Sequence, residues 1–341
     1  MRVSIFAKFV GATVAIASVS CGGAEPGEAA PDVTEERAAI CLPCLFGPTT
    51  IVSGVTPTSI ALSSTDAYFT NGPYLSQLDR VPLGGGPATV LAKVTGTMNS
   101  VTRYGNTVYW ADYEASDSSG PWSISTSGTA APVHLSHHDN DKVSTQGVAV
   151  YTTSSGLFTT THVLFADALV AKLWDTRLSI LGASDVSLLP DTGMNSNFYP
   201  FSIVIDGSSV YFTHDTDEGL YKAPIGGGSV TQLVATTVAR SALALAGGTL
   251  YFQQGTDLKS MSTSGGAIGT FAAGVGTISA MVANGGVIYW TCPGCGTVSK
   301  QAVSGGGVTT LASNQSSPNC LAVDATYVYF GTSNALKRIA K

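Results

Sequence analysis

Charge is scarce in this chain: of 341 residues, 16 are Lys or Arg and 22 are Asp or Glu, together 11%. The formal net charge is −6, and removal of Arg2 and Lys8 with a leader would make it −6 − 2 = −8. A nucleic-acid partner is therefore excluded, because a negatively charged surface is repelled by the phosphate backbone. Histidine is limited to five residues, and no His-Glu-x-x-His, EF-hand loop or Gly-x-Ser-x-Gly elbow occurs. No metal or other cofactor is implied. No apolar run reaches the ~20 residues that span a bilayer.

What is present suits strands and tight turns. Apolar residues make up 44% of the chain, enough for a large packed core, and the 39 glycines are joined by abundant Ser and Thr. Residues 1–20 read as a secretory leader, with Arg2 and Lys8 ahead of the small and apolar stretch Phe9 to Ser20. Ser18-Val19-Ser20-Cys21-Gly22 resembles a bacterial lipoprotein lipobox, which implies lipidation at Cys21 and membrane contact through a lipid anchor only. Residues 21–47 are rich in Ala, Pro, Gly and Glu and read as a flexible tether, leaving 48–341 as the folded domain.

That domain repeats. Pairs of aromatic or apolar residues recur at Tyr68-Phe69, Tyr109-Trp110, Leu164-Phe165, Tyr211-Phe212, Tyr251-Phe252, Tyr289-Trp290 and Tyr329-Phe330, at spacings of 41, 55, 47, 40, 38 and 40. A period near 40 with four short strands per unit predicts a seven-bladed all-β propeller of four-stranded antiparallel blades. Gly84 to Gly86, Gly226 to Gly228 and Gly305 to Gly307 recur with the blades as hairpin turns, without the helix and Lys-Ser/Thr of a phosphate loop. Small residues at Ser59, Ser100, Ser202, Ala242, Ala280 and Cys320 suit crowded innermost strands. The last unit has three strands, and its fourth is expected from the segment 49–54, closing the ring and leaving no sheet edge open there. The long third unit carries its insertion at Ser154 to Thr161.

Tyr109-Trp110-Ala111-Asp112, Tyr68-Phe69-Thr70-Asn71 and Leu321-Ala322-Val323-Asp324 resemble the YWTD-type and related bacterial secreted β-propeller repeats, over residues 49 to 341. YWTD rings have six blades, and the Asp after the pair survives here only at Asp112 and Asp167. A count of seven is similar to the virginiamycin-lyase-like propellers, whose activity is not carried over because no His and Glu positions map onto theirs.

Where each second strand ends, the sequence places Asn71, Asp112, Asp167, His214, Gln254, Cys292 and Thr332 on one predicted face. All but Cys292 are candidate ligand-binding residues. With Glu114, Asp117, His137, His138, Asp139, Asp141, Asp215, Asp217 and Glu218 nearby, the face could hold a cation, act as an acid/base pair, or present solvated loop tips. The reading is a binding scaffold for an extracellular protein or glycan on the cell envelope. Its alternative is a hydrolase or lyase acting on a polysaccharide or cyclic ester, with His214 and Asp112 as catalytic candidates. His134 is placed in an outer strand and His162 at the start of a strand, both as surface or packing residues. Lipidation of Cys21 leaves five cysteines: Cys292 with Cys295 and Cys41 with Cys44 are expected as local disulfides. Cys320 is a buried small hydrophobe or the partner of a leader cysteine.

Overall fold

The computed structural model describes residues 47–72, 76–94, 96–113, 120–135, 145–156, 158–167, 172–179, 182–188, 200–214, 219–237 and 241–341. Among them stand seven four-stranded antiparallel sheets and no helix. Six blades are consecutive in sequence, at 57–93, 97–134, 145–187, 200–234, 243–272 and 280–312. The seventh joins Cys320–Val323, Tyr327–Gly331 and Ala335–Ala340 to the N-terminal strand Thr49–Ser53. That strand pairs Thr49 with Arg338, Thr50 with Lys337, Val52 with Leu336 and Ser53 with Ala335. The ring therefore closes as the repeat arithmetic requires.

Successive strand residues point to opposite sides of a sheet, so the two members of each aromatic pair enter different blade interfaces. Tyr68 packs with Trp110 and Val101 of blade two, while Phe69 packs with Leu336 and Tyr329 of blade seven. The same division holds around the ring, which has seven apolar clusters, one per interface, in place of a single central core. Because both faces of a blade are covered, the second strands are buried in continuous runs without alternation, as in the wholly buried Ser209–His214. Outermost strands such as Thr309–Ala312 bury only the residue nearest the next interface.

Two further repeated features act as struts. A basic residue of the third strand reaches the hairpin of the following blade: Arg80 Nη1 donates to Thr126 O at 3.0 Å, Lys222 Nζ to Thr263 O at 3.1 Å, and Arg338 Nη1 to Leu83 O at 2.5 Å. The Asp that follows the first strand locks its own hairpin. Asp206 accepts from Ser208 N, Ser209 N and, at 2.6 Å, Tyr211 Oη; Asp324 accepts from Thr326 N, Tyr327 N and, at 2.8 Å, Tyr329 Oη. The glycine-rich turns carry positive φ, as at Gly227 (84°) and Gly228 (142°), where a side chain would be strained.

In blade three, Val148 stands opposite Phe165, whereas in blade one Ile60 stands opposite Phe69. The separations are 165 − 148 = 17 and 69 − 60 = 9, so the insertion lengthens the hairpin between first and second strands by 17 − 9 = 8 residues. One expectation is corrected by this register: His162 does not open a strand but lies inside Phe158–Asp167, because the added residues pair with each other and extend the strand backwards.

Candidate functional site

The innermost strands enclose an axial cavity of about 340 Å³. Its wall includes the small residues Ser59, Ser100, Ser202, Ala242, Ala280 and Cys320, and blade three contributes Gly147. A β-carbon on Gly147 would lie 2.8 Å from Phe201 O, so the approach of blades three and four at the axis admits no side chain.

The serines do more than fit. A first strand has one edge paired within its blade and the other turned to the axis, where its amides lack a ladder partner. Ser59 Oγ accepts from Val101 N at 3.1 Å, Ser100 Oγ from Val148 N at 3.3 Å, and Ser202 Oγ from Leu243 N at 3.2 Å, each across a blade boundary. At the closure the Cys320 thiol faces Pro57 O at 3.5 Å. This thiol is free and buried, and burial pushes its pKa up to about 12.

The polar positions at the second-strand ends occupy one face, as the topology requires, and most of those described turn inward. Asp112 is 1% exposed and accepts from Trp122 Nε1 at 3.1 Å. His214 is 0% exposed, its ring edge-on to Tyr221. Thr332, also 0% exposed, donates to Ala335 O at 3.1 Å and lies 3.2 Å from Asn334 Oδ1. Asn71 accepts from Thr56 N at 2.8 Å and donates to Asp79 Oδ2 at 2.8 Å, tying the chain that leaves the closing strand to blade one. Gln254 donates to Thr236 O at 2.9 Å. Asp167 ends its strand opposite Lys172, and its side chain lies outside the described residues. Glu114, Asp117, His137, His138, Asp139, Asp141, Asp215, Asp217 and Glu218 lie outside them as well, as do Cys21, Cys41 and Cys44. Among the described residues no group of three or more His, Cys, Asp or Glu is placed to hold a metal ion.

Cys292 and Cys295 form a disulfide across the blade-six turn. Gly276, from the link between blades five and six, lies against it: a β-carbon there would overlap both sulfurs.

Sequence reasoning passed over a second polar group, on the extended hairpin of blade three. His162 Nδ1 lies 3.0 Å from both oxygens of Asp175, and its Nε2 lies 2.8 Å from Thr153 Oγ1. Arg177 Nε donates to Asp175 Oδ2 at 2.8 Å. Asp175 is 0% exposed and His162 7%, and the Tyr151 ring stacks on the imidazole with centroids 4.3 Å apart. Alignment of blade three against its neighbours by strand register, and not by aromatic pairs alone, would have exposed it.

No family model matches the chain, and no curated protein does. The fold recurs in solved structures. Virginiamycin B lyase from Staphylococcus aureus superposes with a TM-score of 0.67 at 14% identity, over 86% of this chain and 98% of that one. YCF48 bound to D1 peptide superposes at 0.63 with 10% identity, over 86% and 94%, and BamB from Moraxella catarrhalis at 0.53 with 11% identity, over 83% and 84%. At such identities the likeness is one of fold.

Proposed function

We propose that this chain is an envelope-anchored, extracytoplasmic propeller that serves as a binding scaffold, presenting the loops of its second-strand-end face to a protein or glycan. The observation that carries this reading is the burial of Asp112, His214 and Thr332. Among the described residues of that face, these three side chains are built into the blades and offer no open pocket for chemistry. Blade-crossing bonds from Arg80, Lys222 and Arg338 and from the axial serines supply the rigidity that keeps loops on different blades in fixed relation. A protein partner is favoured by the solved likeness of fold to YCF48, which was captured with a peptide. The tether and a lipid on Cys21 hold the disc at the membrane.

Site-specific photo-crosslinking in cells tests the face. A crosslinking residue at exposed Thr256, in a turn between second and third strands, is expected to give a discrete adduct. The same residue at Ile268, 43% exposed on the opposite end of the disc, is expected to give none. Adducts only from position 268 would refute the placement. Turnover of glycans or lactones by the purified protein, lost in His214→Ala, would replace the scaffold with the hydrolase or lyase reading. Cys21→Ser is expected to move the protein from the membrane fraction to the soluble one.

A further inference from the structure

We propose that Thr153, His162 and Asp175 of blade three form an acyl-accepting site for small activated esters, with Thr153 as nucleophile, His162 as general base and Asp175 as the residue that positions the base. The inference does not rest on the scaffold reading and concerns the opposite end of the disc.

The geometry determines the direction of each proton. Asp175 is buried, with Arg177 Nε 2.8 Å from its Oδ2 and His162 Nδ1 3.0 Å from both of its oxygens, an arrangement in which the carboxyl oxygens accept from both partners. In the neutral imidazole, a proton on Nδ1 donated to those oxygens leaves the lone pair on Nε2. Thr153 Oγ1, 2.8 Å from that nitrogen, then donates its hydroxyl proton to it. Nucleophile, base and orienting group thus follow in hydrogen-bonded order. Tyr151 covers one face of the imidazole, while Thr153 is exposed, so the oxygen is open to a substrate and the base behind it is shielded from bulk water.

Comparison within the ring shows that this is not a repeated packing device. At the position of His162 the other six blades carry Asp66, Thr107, Ser209, Thr249, Val287 and Tyr327. At the position of Asp175 they carry only Arg, Lys or Ser, as at Arg80, Ser123 and Lys222. Thr153, next to the added residues Ser154 to Thr161, pairs with Thr160 on a rung of the lengthened hairpin that the first and second strands of the other blades do not reach. An acid in place of the basic or hydroxyl residue that six copies carry, beside a histidine that none of them has, marks a site shaped by something other than the fold.

The step balances without a cofactor. Thr153 Oγ1 attacks the ester carbonyl carbon as its proton passes to His162 Nε2, and the imidazolium so formed is held by the Asp175 carboxylate. The bond to the leaving alcohol then breaks and the alcohol takes the proton from Nε2, leaving an acyl ester on Thr153. Water, deprotonated by His162, returns the free hydroxyl and releases the carboxylic acid.

Incubation of the purified protein with 4-nitrophenyl acetate, followed by peptide mass spectrometry, tests the site against exposed Thr159 on the partner strand, which has no imidazole beside it. Acetylation is expected at Thr153 ahead of Thr159, retained in Thr153→Ser and absent from that peptide position in Thr153→Val, an exposed substitution that leaves the fold intact. His162→Gln, with an unchanged circular dichroism spectrum, is expected to slow acetylation of Thr153 by at least about a hundredfold, the ordinary contribution of a general base. Asp175→Asn is expected to slow Thr153 and leave Thr159 unaffected, which a loss of packing alone would not do. Equal labelling of Thr153 and Thr159, or an unchanged Thr153 rate in His162→Gln, overturns the proposal. Should His162→Gln not fold, failure of Thr153→Ser to label decides against it in the same way.

Discussion

Ring closure depends on five residues at the far end of the chain, and Ile51→Ala measures what they contribute. Ile51 is 6% exposed and packs with Val55, Ile60, Phe69 and Leu336 between blades seven and one. The substitution removes three carbons, worth about 2.4 kcal/mol at ~0.8 per buried carbon. A partly collapsed cavity raises the loss to roughly 3 kcal/mol, inside the range of about 2–5 for such truncations. For a domain of this size that corresponds to a fall in Tm of roughly 5–10 °C by calorimetry or thermal circular dichroism. Val308→Ala, at a site 46% exposed, is the control and is expected to stay within about 0.5 kcal/mol. Limited proteolysis should also cut near residues 49–56 sooner in Ile51→Ala than in the parent. If Ile51→Ala melts with Val308→Ala, the N-terminal strand does not hold the ring shut and the closure argument fails.

Three further outcomes follow from the same structure. Cys320, its pKa raised by burial from 9.0 to about 12, should resist iodoacetamide at pH 8 in the folded protein and react once denatured. Since the folded value is the higher, the stability it contributes is present below pH 9 and is lost as pH rises towards 12, which alkaline melts of the parent and Cys320→Ser will show. Burial would raise Asp206 and Asp324, but the Tyr hydroxyl and two amides on each outweigh it and hold both carboxyls below their ordinary 3.8. Their contribution is therefore present above pH 3.8 and disappears on further acidification, and Asp324→Asn should flatten the acid limb of a stability-against-pH curve. Gly276→Ala combines a φ of +78° with overlap on the Cys292–Cys295 sulfurs, and should lower stability by about 2 kcal/mol in denaturant titration.

The repeat, the blade count and the closing strand were legible in the chain because a propeller writes its period into its second strands. Burial on both faces demands an unbroken apolar run, and Tyr68-Phe69 and its six copies announce it. The ring of small axial residues could be read for the same reason, since only size matters to crowding at an axis. The serine bonds across blade boundaries could not, because they join residues about forty positions apart whose edges meet only in the closed ring.

The polar ring shows the limit most clearly. Strand order alone placed Asn71, Asp112, His214, Gln254 and Thr332 at one end of the disc, but exposure depends on neighbours: Trp122 lies over Asp112, and the blades enclose His214. The His162–Asp175 contact joins the second and third strands of blade three, and Thr153 meets it only through the lengthened hairpin that pairs the first strand with the second. Periodic burial determined the architecture from sequence alone, because it is a local property repeated seven times. Which side chains meet, and with what proton between them, was decided only by the tertiary structure, because hydrogen bonds act over about 3 Å and residues distant in sequence must be brought that close before any such bond exists.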